Sequence, residues 1–188
     1  MMFTIRSGSM TAVIDSVGAQ LMSLQSVDGT QYLWQGDPKY WPDRSLTIFP
    51  YVARLTDGCY RYRGELYHMP IHGFAPTAEF SVAEQTDAAI TFVLESCPAF
   101  YEQYPFLFRY SIRYRLENAT LHVEITVENK DEKTMHFGLG GHPGINVPLE
   151  EGLRFEDYVI EVPPCQPRRM EFTPACFITG RELPFPME

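Results

Sequence analysis

The chain has 188 residues, 45% of them hydrophobic, which is enough apolar material for one well-filled domain and leaves little room for a second. Its formal net charge of -9 disfavours nucleic acid or an anionic membrane surface as the main partner, because both repel an acidic protein. No apolar run is long enough to cross a bilayer, and the N-terminus Met1-Met2-Phe3-Thr4-Ile5-Arg6 lacks a basic region followed by an apolar core, so the sequence predicts a cytoplasmic protein.

Short alternating segments at residues 2–6, 11–15 and 20–25 predict the first strands, and similar segments at 79–83 and 89–94 continue the series. Residues 98–104 predict a short helical turn. The clearest periodicity follows, from Phe106 to Leu116: large apolar residues take every even position, while Arg109, Arg113 and Arg115 fall on the other side. After the turn Glu117-Asn118-Ala119-Thr120, residues 121–128 alternate as cleanly. The two segments predict a long antiparallel hairpin with Arg and Glu opposed on its polar face. The sequon Asn118-Ala119-Thr120 reads as the tip of that turn rather than as a glycan acceptor. Further strands are expected at 136–139 and 158–162. The Pro-rich stretches 163–170 and 183–188 read as edge or loop, since proline interrupts ladder bonding. Short strands at this spacing, with 13 Gly and 15 Pro, predict an all-β antiparallel β-sandwich in one domain, 1–188. Cys59, Cys97, Cys165 and Cys176 are scattered through a chain large enough to fold without staples, and read as free thiols.

Three junctions rich in Gly and Pro carry the residues suited to chemistry. They are Phe49-Pro50-Tyr51-Val52-Ala53-Arg54-Leu55, Ile71-His72-Gly73-Phe74 and Gly141-His142-Pro143-Gly144. A guanidinium holds hydroxyls in fixed directions, and an imidazole moves protons near neutral pH, so Arg54, His72 and His142 suit proton transfer on an uncharged polyol. A lone histidine in such a turn is nonetheless more often a packing residue, and Arg54 has Asp57 and Glu65 nearby as surface ion-pair partners. His68, His122 and His136 carry no such role. Phe74, next to His72, is expected to form an apolar wall of the pocket, whereas Trp34 and Trp41 are assigned to the core. A zinc site from His68, His72 and His142 is disfavoured because Met69-Pro70 breaks the helix that would put the first two on one face. Serine-hydrolase, P-loop, dinucleotide and paired-cysteine motifs are all missing from the sequence. No cofactor is implied.

The series Trp34-Gln35-Gly36-Asp37-Pro38-Lys39-Tyr40-Trp41, Phe49-Pro50, Arg54-Leu55, Asp57-Gly58, Gly64 and His72-Gly73-Phe74 resembles the aldose 1-epimerase (galactose mutarotase) family, in particular its LacX-like branch. Tyr104-Pro105-Phe106, Asn129, Gly138, Gly140, His142-Pro143 and Asn146-Val147-Pro148 continue the likeness in the same order. The resemblance implies a large antiparallel supersandwich, shortened here at its C-terminal end, and a small-molecule sugar as partner. It makes His142 the general acid, places His72 near the sugar ring oxygen and gives Arg54 the task of orienting the substrate. The family's base is a glutamate in a C-terminal segment. Glu150, Glu151, Glu156 and Asp157 follow His142, but their context matches no such glutamate. The isolated chain is therefore expected to be a poor catalyst. The alternatives are a carbohydrate-binding or sensing module without turnover, and a fragment that binds nothing. Exposed sheet edges are expected to favour association with a second copy.

Overall fold

The computed structural model describes residues 1–175 and 177–184. Three strands open it, β1 (Met2–Ser7), β2 (Met10–Asp15) and β3 (Leu21–Ser26), paired antiparallel in that order. A short strand β4 (Ser45–Ile48) and a hairpin, β5 (Cys59–Tyr62) with β6 (Glu65–His68), follow. The main sheet is then built from β7 (Ser81–Gln85), β8 (Ala89–Glu95), β9 (Phe108–Glu117) and β10 (Thr120–Asn129), with the helical turn α1 (Pro98–Tyr101) between β8 and β9. Near the C-terminal end, β11 (Gly140–Pro143) pairs with β4, and β12 (Arg169–Phe172) pairs with β13 (Ile178–Leu183).

Alternation along β9 decides where the core sits. Phe108, Tyr110, Ile112, Tyr114 and Leu116 are all buried, and they meet Ile5, Ala12 and Ile14 of the opening sheet, so the two sheets face each other as a sandwich. Phe3 and Phe92 meet edge to face across it, 5.5 Å between ring centroids. The Tyr114 hydroxyl donates to the Ala19 carbonyl at 2.8 Å, which satisfies a buried polar atom. Phe49, fully buried, is the hub for the site: it stacks on Tyr110 at 4.5 Å and meets Phe74, Tyr104 and Phe108 edge to face.

The predicted hairpin is present, with Glu124 opposite Arg113 and Glu128 opposite Arg109. Its turn is the two residues Asn118 and Ala119, with Asn118 at φ +54, a conformation asparagine tolerates better than most. The apolar face of β10 is only partly covered, however, and Val123 stays 49% exposed. Beneath it lies an open trough of about 560 Å³ lined by Leu24, Tyr32, Ile112, Leu121, Val123 and Ile125.

Three expectations need correction, and three short strands went unanticipated. Residues 136–139 form no strand; the Gly138 N–H donates to the Pro50 carbonyl and the His136 carbonyl accepts from the Tyr104 hydroxyl, so the ladder begins only at Gly140. Residues 158–162 form no strand, with Val159 91% and Ile160 93% exposed. The tail holds the β12–β13 hairpin, starting inside the stretch read as loop. The short strands β4 to β6 were not apparent from periodicity, since four residues carry too little alternation to stand out. Cys59, Cys97 and Cys165 are free thiols. Cys176 and residues 185–188 lie outside the described residues. No helix in the described structure is long and apolar enough to cross a membrane.

Candidate functional site

Two backbone close approaches bring the two histidines together. The first joins residues 49–55 to 69–75. Gly73, at φ +78, bridges Phe49 so closely that a Cβ there would lie 2.2 Å from the Phe49 carbonyl oxygen, which leaves glycine as the residue that fits. The Phe49 N–H donates to the His72 carbonyl and the Ala75 N–H to the Phe49 carbonyl, so the segment carrying His72 is tied to the aromatic core. His72 itself has φ +66 and Ala53, which it touches, φ +72. Such conformations cost about 1–3 kcal/mol each and persist where surroundings over-determine them, a pattern common at functional sites.

The second close approach places His142. It lies on β11 opposite Leu46 of β4. Two residues later Gly144 is packed under both tryptophans; a Cβ there would lie 2.8 Å from Trp34 Cβ and 3.0 Å from Trp41 Cζ3. The Trp34 N–H donates to the Gly144 carbonyl, and the Trp34 indole N–H donates to the Trp41 carbonyl at 2.8 Å. Asn146 closes the same junction by donating to the Gln31 and Leu33 carbonyls.

The result is a cluster of His72, His142 and Trp41. The imidazole centroids are 5.9 Å apart, and the Trp41 ring is 4.9 Å from that of His142. His142 is exposed and His72 half-buried. Burial pushes the His72 imidazole below the usual histidine range, and the neighbouring His142 adds to the push. Arg54 follows Ala53 directly, so its backbone is beside His72. Its side chain is exposed and makes no ion pair with Asp57 or Glu65, nor with any other described residue, contrary to the plain surface-pair reading.

Phe74 is the expected site residue that the structure places elsewhere. It is 4% exposed, stacked on Phe100 at 4.4 Å, and belongs to the core rather than to a pocket wall. Trp41, assigned to the core from sequence, is the aromatic ring beside the histidines. The available signal was Gly144, a small residue that leaves room for a large ring next to His142. His68 sits on the exposed β6, His122 lies 3.5 Å from Glu117, and His136 offers its carbonyl to Tyr104. No group of three or more possible metal ligands occurs among the described residues. A separate apolar cavity of about 520 Å³ borders the same loop, lined by Val52, Leu55, Tyr60, Tyr62, Tyr104 and His136, but His72, His142 and Arg54 do not line it.

Comparison with known proteins places the fold in a family. A family model described as aldose 1-epimerase matches residues 1–176. The chain belongs to the aldose 1-epimerase family. It is similar to the plasmid-borne protein LacX of Lactococcus lactis subsp. lactis, with 31% identity over 169 residues that make up 86% of this chain and 56% of LacX. Among solved structures, a galactose mutarotase related enzyme from Lactobacillus acidophilus superposes with a TM-score of 0.81 at 38% identity, over 84% of this chain and 53% of that one. A galactose mutarotase-like protein from Lactobacillus casei ATCC 334 gives 0.83 at 30% identity, over 97% and 63%. The all-β sandwich is therefore the galactose mutarotase-like fold of the aldose 1-epimerase family. The chain spans about half the length of the curated relatives it matches.

Proposed function

We propose that this chain binds a free aldose at the His72 and His142 pair and takes part in interconverting its α and β anomers. In that reaction the C1 hydroxyl gives its proton to a base, here solvent water at the exposed His142, and becomes the carbonyl, the bond from C1 to the ring oxygen breaks, and the ring oxygen takes a proton from an acid. Rotation about the C1–C2 bond and reclosure yield the other anomer. His142, exposed on β11, is the acid. His72 donates a hydrogen bond at the ring oxygen, Arg54 orients the hydroxyls, and Trp41 offers a ring face to the C–H side of the sugar. A positioned acid contributes roughly 10²–10⁴-fold to such a step.

The observation that carries this reading is the meeting of two histidines from distant segments beside a tryptophan, 5.9 Å and 4.9 Å between centroids. Polarimetry of freshly dissolved α-galactose and α-glucose tests it, with the native chain and His142→Ala in parallel. A weak acceleration, as suits a site with an acid and no carboxylate base among the described residues, that disappears in His142→Ala is expected. Acceleration retained by the variant refutes the assignment of the acid.

A second reading, sugar binding without turnover, is favoured by one feature: neither ring has a carboxylate hydrogen-bond or ion-pair partner among the described residues. It predicts the same binding, dependent on Arg54 and His72, with no acceleration.

A further inference from the structure

Ala53 and His72 hold each other by two hydrogen bonds. The His72 peptide N–H donates to the Ala53 carbonyl at 2.9 Å, and the Ala53 N–H donates to Nδ1 of the His72 ring at 3.2 Å. An imidazole nitrogen that accepts a hydrogen bond carries no proton, so in the neutral ring the proton sits on Nε2. We propose that the Ala53 peptide group is a positioning element that locks His72 as the neutral Nε2–H tautomer, a fixed hydrogen-bond donor, and leaves His142 as the histidine of the pair that exchanges protons. The donor's recipient, a sugar ring oxygen, rests on the function proposed above.

Three features make this a lock rather than a passing contact. Ala53 and His72 both have positive φ, at +72 and +66, so the N–H and the ring are aimed by unusual backbone conformations on both sides. The residues on either side of Gly73 are tied to Phe49, whose N–H donates to the His72 carbonyl and whose carbonyl accepts from the Ala75 N–H. The Phe49 ring is fully buried, so the whole arrangement is anchored in the core. The backbone on both sides is thus held, and the bond is lost only by rotation of the His72 ring, which would show as tautomer averaging.

The lock also opposes protonation. An imidazolium carries a proton on each nitrogen, so charging His72 would set an Nδ1–H against the Ala53 N–H, donor facing donor, and lose the bond. Among the ionisable groups on the segments around the ring, His142 opposes a charge on His72. His142 faces it from β11 at 5.9 Å, and the loop carrying Ala53 holds Tyr51 and the cationic Arg54. Neither imidazole is paired with a carboxylate among the described residues. Two imidazolium rings at this separation repel. Withholding the proton from one leaves the other free to carry it.

Long-range ¹⁵N–¹H correlation spectra of the labelled native chain, recorded from pH 8 to pH 5 with His72→Asn to assign the ring, test the proposal. Asparagine tolerates positive φ, so that variant is compatible with the local backbone. The expected pattern is an unprotonated, pyridine-like Nδ1 and a protonated, pyrrole-like Nε2, without tautomer averaging, and protonation of His72 only below the ordinary histidine range. A protonated Nδ1 in the neutral ring, an averaged pair of resonances, or protonation of His72 within or above the ordinary histidine range overturns the proposal. Adding galactose separates it from the functional reading. A locked ring whose Nε2–H shifts with galactose supports both. A locked ring that ignores both galactose and glucose supports the lock and refutes sugar binding. A ring that responds to galactose while averaging its tautomers overturns the lock and leaves sugar binding standing.

Discussion

Replacing Gly73 by alanine tests whether the close approach that positions His72 exists. The residue has φ +78, and placing a Cβ in that region costs about 1–2 kcal/mol by itself. The added methyl would also lie 2.2 Å from the Phe49 oxygen, 2.5 Å from its carbonyl carbon and 2.6 Å from Pro50 Cδ. The first two atoms are backbone and held by the Ala75 N–H at 3.1 Å, so relief requires moving the chain rather than a rotamer. Overpacking of that kind adds about 1–3 kcal/mol, for a total of about 2–5 kcal/mol. At about 2–4 °C per kcal/mol for a chain of this size, melting should fall by roughly 4–20 °C. Gly64→Ala is the control: its φ is +92, but nothing lies within 4 Å of a Cβ there, so only the conformational cost of about 1–2 kcal/mol applies. Urea unfolding of the native chain and both variants gives the comparison. Equal losses in the two variants, or a loss below about 1 kcal/mol in Gly73→Ala, would refute the packing argument and with it the placement of His72.

Two further outcomes follow from the site. Trp41→Ala removes the ring that stands 4.9 Å from His142 and should weaken galactose binding roughly 2–10-fold, the equivalent of about 0.5–1.5 kcal/mol, as read by calorimetric titration; unchanged affinity would take Trp41 out of the sugar's path. Because His72 is held below its ordinary proton affinity by burial first and by His142 second, the unfolded chain binds a proton at this residue at higher pH than the folded one does. Stability from this residue is therefore full above the ordinary histidine value and declines as pH falls through it toward the lowered folded value. Urea midpoints from pH 8 to pH 5 should show that decline in the native chain and a flatter profile in His72→Asn; parallel profiles would contradict it.

Legibility in the sequence followed the size of the local signal. The β9–β10 hairpin was readable to its register, because ten-residue strands with strict alternation leave one pairing that buries a single face. The strands β4 and β11 were not, because four residues around Gly and Pro hold too little pattern, and their pairing depends on what the rest of the chain presents to them. The alternation at 158–162 predicted a strand, but a ladder needs a neighbouring strand, and local pattern cannot supply one. Phe74 and Trp41 exchanged roles for a related reason: aromatic residues look alike in sequence, and which of them reaches the core is a matter of volume and contact.

Residue chemistry and order along the chain were enough to determine the all-β class, the family likeness, and the candidates Arg54, His72 and His142. These depend on side-chain type and short-range periodicity, which are properties of the sequence. The tertiary structure alone decided that His72 and His142 meet beside Trp41, and that Ala53 turns its N–H onto the His72 ring. Those contacts join residues far apart in the chain. They exist because Gly73 and Gly144 let backbone and aromatic rings approach to distances that any larger residue would forbid.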